Sequence, residues 1–219
     1  VMECMAVLPD YQWVSEHKMV KSNIGVITNV RMDHVDEMGY TMDDITKSLS
    51  NTVPKHGKIV TTNCSNNYGP HQHDEKLIPT VIRSAMQLKE IPVYGKGENV
   101  RDWLFVTDHC SAIEQVFKSG KAGETYNIGG NNEWKNIELV HKICDILNKH
   151  IAKGPQGDYN NLISFVTDRL GHDFRYAIDA SKIKNELGWE PNSDFDGMLE
   201  ETVLWYIDKY KSLLKITEN

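Results

Sequence analysis

The sequence is poor in cysteine and in long apolar runs, and both absences limit what the protein can be. No stretch of its 219 residues approaches the ~20 consecutive apolar residues that a membrane-spanning helix needs, so no membrane partner is expected. The four cysteines form no C-x-x-C pair, which disfavours a zinc or redox site and is typical of reduced, mostly buried thiols in a cytoplasmic protein. A net charge of -7, without a stripe of Lys and Arg, disfavours a nucleic-acid partner.

The sequence also lacks the motifs that hold common cofactors. No G-x-G-x-x-G occurs, because the Gly95-x-Gly97 pair is followed by Val100 where a third glycine would stand, and this pair predicts a turn. No P-loop is present, and none of the nine tyrosines has a lysine four residues later. The sequence therefore contains no recognisable phosphate-binding turn for a dinucleotide or ATP, and no Tyr/Lys proton-transfer pair.

Residues 1–62 alternate short apolar segments with helical ones. Strands are predicted at 1–7, 23–30 and 58–62, and helices at 10–21 and 43–53. Thr41 and Asp44 have the spacing of a capping box, which predicts Thr41 as the N-cap of the second helix. Short apolar strands that alternate with helices indicate a parallel sheet covered on both faces.

Residues 63–219 also alternate predicted strands and helices. Helices are predicted at 75–88, 106–118, 136–148, 181–188 and 194–210, and strands at 91–94, 124–128, 164–166 and 175–178. Ser181 is predicted to cap the fourth of these helices, which Gly188 ends. The whole chain is therefore predicted to be an α/β protein.

Eight sequence blocks in this second part stand in the order found in one enzyme family. They are NCSNNYGP (63–70), EKLIP (75–79), PVYGKG (92–97), VRDWLFVTDH (100–109), GETYNIGG (123–130), KNI (135–137), DRLGHDFRYAID (168–179) and ELGW (186–189). With these blocks, residues 63–219 resemble the C-terminal, substrate-binding half of the dTDP-glucose 4,6-dehydratase family of extended short-chain dehydrogenases/reductases. The resemblance implies a Rossmann-like parallel sheet with a smaller α/β substrate-binding lobe. It also implies NAD as the cofactor of the parent family and dTDP or a dTDP-sugar as the partner.

The resemblance further implies roles for single residues. Asn66 would contact the sugar-nucleotide, and Asn67 would approach the nicotinamide side of NAD. Lys76 and Leu77 would line the substrate channel. The thymine base would pack on Pro92, Val93 and Tyr94.

Other implied roles concern the diphosphate and the closing of the site. Arg101 would pair with the diphosphate, to which a guanidinium offers fork-shaped, charge-assisted bonds, and Asn136 would add a polar contact. The residues that would close over the nucleotide are Asp168, Arg169, Gly171 and His172, with Arg169 near a phosphate. No residue is assigned a catalytic role.

The residue types alone leave alternatives open. Arg101 and Asp102 are also consistent with a local ion pair. The tryptophans at positions 103, 134, 189 and 205 are also consistent with core anchors rather than platforms for a base.

Residues 1–62 resemble a different family. The blocks ECMAV (3–7), NIGVITNV (23–30) and DHVD (33–36) are similar to Mur-ligase-like enzymes, among them the ligase subunit of poly-γ-glutamate synthase. That resemblance implies that Glu3 and His34 hold Mg²⁺ near ATP phosphates, and a hard cation suits the carboxylate. The same residues are consistent with an acidic turn that caps a helix.

Two parts of different origin are therefore expected, a Mur-ligase-like β-α-β-α-β fragment at 1–62 and a dehydratase-like substrate-binding part at 63–219. The sequence begins at Val1, no signal peptide is recognised, and we expect a fragment or chimera. A homodimer is an open alternative to a monomer. The expected function is that of a dTDP-glucose 4,6-dehydratase-like, NAD-dependent lyase that is incomplete and inactive as this chain alone. The alternatives are a non-catalytic dTDP-sugar-binding or structural chimera, and a Mg²⁺/ATP-binding ligase fragment.

Overall fold

The computed structural model describes residues 9–14, 18, 40–53, 60–151, 155–168, 171–192 and 194–214. They belong to two compact units, Val1–Ile59 and Val60–Asn219, and each unit is considered by itself. The strands predicted at 1–7 and 23–30 lie outside the described residues.

The described part of the first unit contains the helices α1 (Pro9–Val14) and α2 (Met42–Ser50). Thr41 caps α2 as predicted, because its Oγ1 accepts a hydrogen bond from the Asp44 N–H at 3.1 Å. The Asp44 carboxylate in turn accepts one from the Thr41 N–H at 3.2 Å, which completes the capping box. The Ser48 hydroxyl of α2 donates to Gln12 Oε1 of α1 at 3.0 Å, and this buried bond joins the two helices.

Strands and helices alternate through the second unit. Its described strands are β1 (Thr61–Cys64), β2 (Asn66–Tyr68), β3 (Ile91–Tyr94), β4 (Val100–Phe105), β5 (Thr125–Ile128), β6 (Glu133–Lys135), β7 (Ile163–Val166) and β8 (Arg175–Tyr176). Its helices are α3 (Leu77–Met86), α4 (Val106–Ser119), α5 (Asn136–His150), α6 (Ser181–Leu187) and α7 (Phe195–Leu214). Short 3₁₀ turns lie at Pro155–Gly157 and Tyr159–Leu162.

Strand β4 is the centre of the largest sheet. Its first half pairs with β6 in antiparallel and with β8 in parallel orientation, and its second half pairs in parallel with β2. Two smaller parallel pairs join β1 to β5 and β3 to β7. Parallel strands joined through helices define an α/β fold, so the fold-class prediction is confirmed.

Side chains of β4 alternate between two hydrophobic clusters. Trp103 and Phe105 belong to the larger cluster, which α3, α5 and α7 also line, whereas Leu104 packs in the smaller cluster with residues of α4 and α6. Successive residues of a strand point to opposite faces, so β4 is buried on both sides. Trp103 and Trp189 are 6% and 8% exposed, as the core-anchor alternative requires.

Strands β2, β4 and β6 are not among the strands predicted from the sequence. The amide-rich Asn66–Tyr68 segment has the composition of a turn, yet it pairs with residues 103–105 of β4, because tertiary pairing overrides a weak local preference. Ser181 is the first residue of α6 rather than its cap, and the Asp179 carboxylate accepts from its N–H at 2.8 Å. Gly188 ends α6 in the left-handed conformation (φ 69°), as predicted.

Two further predictions concern thiols and membranes. Cys144 is buried, but Cys64 is half-buried and Cys110 is exposed, so the prediction of mostly buried thiols is wrong for the described cysteines. Within the part of the chain that the structure describes, no helix is long and apolar enough to cross a bilayer.

Candidate functional site

The backbone carbonyl of Asp173 accepts hydrogen bonds from two side chains, one just before β4 and one within it. Arg101 Nη2–H donates to it at 2.8 Å, and Asn99 Nδ2–H donates to it at 3.2 Å. A second guanidinium nitrogen of Arg101 donates to the Val100 carbonyl at 2.7 Å. These bonds hold the plane of the guanidinium against the 171–173 segment. The neighbouring Asp102 carboxylate instead accepts backbone N–H bonds from Gly130 and Asn132, at 2.9 and 2.8 Å.

The same segment contains a histidine paired with a carboxylate. His172 Nδ1 lies 2.7 Å from Asp168 Oδ1, and because a carboxylate accepts, the ring nitrogen carries the proton of this bond. The His172 side chain is 9% exposed, and its ring stands edge-on to the Tyr94 ring with centroids 6.4 Å apart. Gly95 (φ 57°) lets the turn after β3 approach, since an added Cβ would lie 3.2 Å from Asp168 Oδ2.

Asn136 joins this group through the backbone. Its N–H donates to the Asn99 carbonyl at 3.0 Å, which places the first residue of α5 beside the strand that carries Arg101. Its side-chain Oδ1 is buried and has no hydrogen-bond partner among the described residues. Tyr94, Arg101, Asn136, Asp168 and His172 therefore lie in one connected patch, and their binding roles stay predictions.

Strand β3 presents only part of the predicted base-binding surface. Val93 is 2% exposed and packs in the larger core cluster, whereas Tyr94 on the opposite face is 41% exposed and Pro92 is half-buried. Alternation along the strand explains the difference. The Val93 side chain therefore faces the core, and the base contacts of Pro92, Val93 and Tyr94 stay predictions.

Asn66 and Asn67 lie on opposite faces of β2. Asn66 pairs in register with Trp103, whose side chain packs in the larger cluster, and Asn67 pairs with Leu104, whose side chain packs in the smaller one. Their predicted roles, one toward the substrate and one toward a cofactor, are compatible with this separation and stay predictions.

The remaining predicted binding residues are more scattered. Lys76 is exposed and precedes α3, and Leu77 begins that helix and packs against the larger cluster. Gly171 adopts a left-handed conformation with φ 72°. Arg169 lies outside the described residues.

The predicted metal ligands Glu3 and His34 also lie outside the described residues. Among the residues that are described, no group of three or more His, Cys, Asp or Glu side chains could hold a metal ion. A Mg²⁺ site at Glu3 and His34 stays a prediction.

Burial shifts two ionisable groups around the β2–β4 pair. It raises the pKa of the Tyr68 phenol, and the nearby Asp108 carboxylate raises that pKa further. Burial lowers the pKa of the His109 imidazole in the first turn of α4.

A separate cleft of about 220 Å³ lies near α6, and its lining residues are Asn131, Ala180, Ser181, Lys184, Trp189, Glu190 and Pro191. None of the predicted binding residues lines this cleft.

Comparison with known proteins identifies the family. The family model of GDP-mannose 4,6 dehydratase matches residues 41–202. The chain belongs to this family. The match covers β4 and the 168–173 segment, and it begins inside the segment assigned to a ligase-like fragment.

Curated relatives in the GDP-mannose 4,6 dehydratase family carry a more specific name. The dTDP-glucose 4,6-dehydratase of Xanthomonas campestris pv. campestris (strain ATCC 33913) is 55% identical over 149 residues, which are 68% of this chain and 42% of that protein. The dTDP-glucose 4,6-dehydratase 1 of Escherichia coli (strain K12) is 53% identical over 152 residues, 69% of this chain and 42% of that protein. The chain thus spans about two fifths of the length of these relatives.

Solved structures of the family superpose on this chain. A dTDP-glucose 4,6-dehydratase double mutant from Streptomyces venezuelae with NAD bound gives a TM-score of 0.65 at 36% identity, over 78% of this chain and 52% of that one. A dTDP-glucose 4,6-dehydratase from Bacillus anthracis in complex with NAD gives 0.62 at 40% identity, over 88% and 60%. The chain is therefore dehydratase-like with a Rossmann-like fold, and NAD is the cofactor seen in solved family members.

Proposed function

We propose that residues 60–214 bind a dTDP-sugar, as the nucleotide-sugar part of a dTDP-glucose 4,6-dehydratase. The observation that carries the proposal is the convergence of Tyr94, Arg101 and His172 around Asp168 and the 171–173 segment. These residues come from separate strands and loops, and the relatives at 53–55% identity are named for an activity on dTDP-glucose.

The thymine base is proposed to lie against the exposed face of β3. Tyr94 is 41% exposed, and Pro92 lies on the same face of the strand. A planar base stacks favourably on an aromatic ring, and His172 supports the Tyr94 ring from its edge. This arrangement assigns Tyr94 the main contact with the base.

The diphosphate is proposed to lie at Arg101. The bonds to the Val100 and Asp173 carbonyls fix the guanidinium before a ligand arrives, which reduces the conformational entropy lost on binding. Arginine binds phosphate oxygens through charge-assisted hydrogen bonds. Asn136 would add a polar contact, because its buried Oδ1 is an acceptor for a ligand hydroxyl.

The residues present fit only one end of NAD. The buried Asn67 Oδ1 has no partner among the described residues, and an acceptor oxygen matches the N–H₂ donor of the nicotinamide carboxamide. The sequence contains no glycine-rich turn for the NAD diphosphate. We therefore assign no hydride-transfer step to residues of this chain.

We infer that this chain alone binds a dTDP-sugar without converting it. Conversion would require oxidation at C4 of the sugar, loss of water across C5 and C6 and return of hydride to C6, and no residue here is assigned to the proton transfers. A chromatographic assay with purified chain, dTDP-glucose and NAD is expected to detect no 4-keto-6-deoxy product. Formation of that product above a no-protein control would refute the inference.

Calorimetric titration of dTDP into the 219-residue chain tests the proposed binding directly. Tyr94→Leu is expected to weaken dTDP binding roughly 5- to 150-fold, because base–aromatic stacking contributes ~1–3 kcal/mol. Phe117→Leu is the control, since Phe117 is an exposed aromatic residue on α4. Absence of saturable heat with wild-type chain, or equal weakening by both variants, would contradict the proposal.

Residues 1–62 carry separate proposals. The first is a Mur-ligase-like origin, with Glu3 and His34 holding Mg²⁺ near ATP phosphates. Calorimetric titration of Mg²⁺ and ATP together tests this site, and absence of binding would contradict it. A homodimer and a cytoplasmic location are likewise proposals, and light scattering of the purified chain tests the first of them.

A further inference from the structure

Gln72 follows β2 and is held from two directions. Its side-chain Nε2–H donates to the Asn67 backbone carbonyl at 2.6 Å. Its own backbone carbonyl accepts a hydrogen bond from the Tyr206 hydroxyl at 2.7 Å, and the Tyr206 side chain is fully buried in the core. The position of Gln72 is therefore tied both to the end of β2 and to α7.

The side chain of Asn67 is oriented in a similar way. Its Nδ2–H₂ donates to the Ser65 carbonyl at 3.1 Å and to Cys64 Sγ at 3.3 Å. In both Asn67 and Gln72 a flipped amide would set its oxygen against a carbonyl oxygen, so the orientation of each amide is fixed by its acceptors. The oxygens Asn67 Oδ1 and Gln72 Oε1 therefore point away from these acceptors.

Both oxygens are buried and lack a hydrogen-bond partner among the described residues. A buried acceptor left unpaired is costly, and buried polar groups in folded proteins are nearly always paired. Two uncharged acceptor oxygens without a donor beside them suit an O–H or N–H group. They repel a phosphate or carboxylate, so they do not fit the charged part of a nucleotide-sugar.

We propose that Gln72 Oε1 and Asn67 Oδ1 form an acceptor pair that binds a neutral hydrogen-bond donor of the ligand. Two groups have this chemistry, a hydroxyl of the hexose in a dTDP-sugar and the carboxamide of a nicotinamide. The proposal rests on the proposed function. It gives Gln72 two tasks, since it contacts the ligand through Oε1 and positions Asn67 through Nε2.

Gln72→Met tests the pair, because methionine keeps the length of the side chain and removes both polar atoms. Gln115→Met is the matched control, since Gln115 Nε2–H also donates to one backbone carbonyl, that of Leu187, at 2.8 Å. Each variant is titrated with dTDP, dTDP-glucose and NAD in the calorimeter, and its melting temperature is measured. We expect Gln72→Met to weaken dTDP-glucose or NAD at least tenfold while dTDP is unchanged, and Gln115→Met to change none of the three.

The arms of this experiment identify the source of the donor. Weakening of dTDP-glucose identifies a hexose hydroxyl, and weakening of NAD identifies the carboxamide. Asn67→Ala is expected to weaken the same ligand, and it decides the question if Gln72→Met does not fold. Unchanged affinities for dTDP-glucose and NAD would overturn the acceptor pair but not the proposed function. A wild-type chain that does not bind dTDP would overturn the proposed function.

Discussion

Replacement of Arg101 by methionine should selectively remove the affinity for phosphate. Methionine keeps an apolar side chain of similar length and deletes the guanidinium, which lies 2.7–2.8 Å from two backbone carbonyls. A hydrogen bond between a charged donor and its partner contributes ~1.5–3 kcal/mol. Loss of one such bond to the diphosphate should weaken dTDP binding roughly 10- to 150-fold.

The ligand series separates this effect from a general loss of structure. Thymidine has the base without the diphosphate, so its affinity should stay unchanged in Arg101→Met. Because the interaction with phosphate is ionic, raising the salt concentration should weaken dTDP binding to wild-type chain more than to the variant. Isothermal titration calorimetry at low and high salt measures all of these values.

Arg175→Met is the control for charge and residue type. Arg175 is an exposed arginine that forms a two-armed ion pair with Glu133, at 2.7 and 2.6 Å, one strand away from Arg101. An exposed pair of this kind contributes little, so we expect dTDP affinity to be unchanged. Equal affinity of wild type and Arg101→Met for dTDP would refute the assignment, and equal weakening of thymidine and dTDP would show that Arg101 acts through folding.

Three other features give measurable effects. Asp102→Ala should destabilise the chain by roughly 2–6 kcal/mol in urea unfolding, because two backbone N–H groups lose a buried acceptor and each unpaired group costs ~1–3 kcal/mol. Hydrogen bonds from Lys209 and Tyr210 lower the pKa of the Asp74 carboxyl, so its stabilising contribution is present above about pH 4 and is lost as the pH falls through the lowered pKa. Asp74→Asn should therefore flatten the acid limb of stability measured between pH 5 and 2, and an unchanged limb would contradict this. Burial raises the pKa of the Cys144 thiol to about 12, so iodoacetamide at pH 8 should label exposed Cys110 first, and mass spectrometry that finds Cys144 labelled in the native chain would be contrary evidence.

Local sequence signals predict some elements well because their causes are local. The Thr41–Asp44 capping box needs only residues three apart, and it forms as predicted. The strand Ile91–Tyr94 ends at a Gly-x-Gly turn whose glycines adopt φ values of 57° and 71°. Glycine adopts positive φ readily, so the residue type alone indicates this turn. Such elements require no knowledge of distant partners.

Other elements depend on contacts far away in sequence. Asn66–Tyr68 becomes a strand because β4 lies beside it, and the amides of this segment alone indicate a turn. Val93 shows the same dependence, because the packing of β3 buries its side chain in the core and the family resemblance does not indicate this. Gln72 has no motif of its own, and only the paired orientation of two amides reveals its unpartnered oxygen.

The proximity of the five residues in the connected patch is likewise visible only in the folded chain. Arg101 and Asp173 are separated by 72 positions, and their hydrogen bond is invisible to any local pattern. The family resemblance predicted that both regions serve one ligand, but it did not predict the carbonyl that orients the guanidinium. Preorganisation of this kind is a property of the packing rather than of the motif.

A crystal structure of the 219-residue chain with dTDP tests the central claim most directly. We expect diphosphate oxygens within hydrogen-bond distance of the Arg101 guanidinium, and the thymine ring against Tyr94. Binding of dTDP in the cleft beside Trp189, or anywhere without contact to Arg101 and Tyr94, would contradict it.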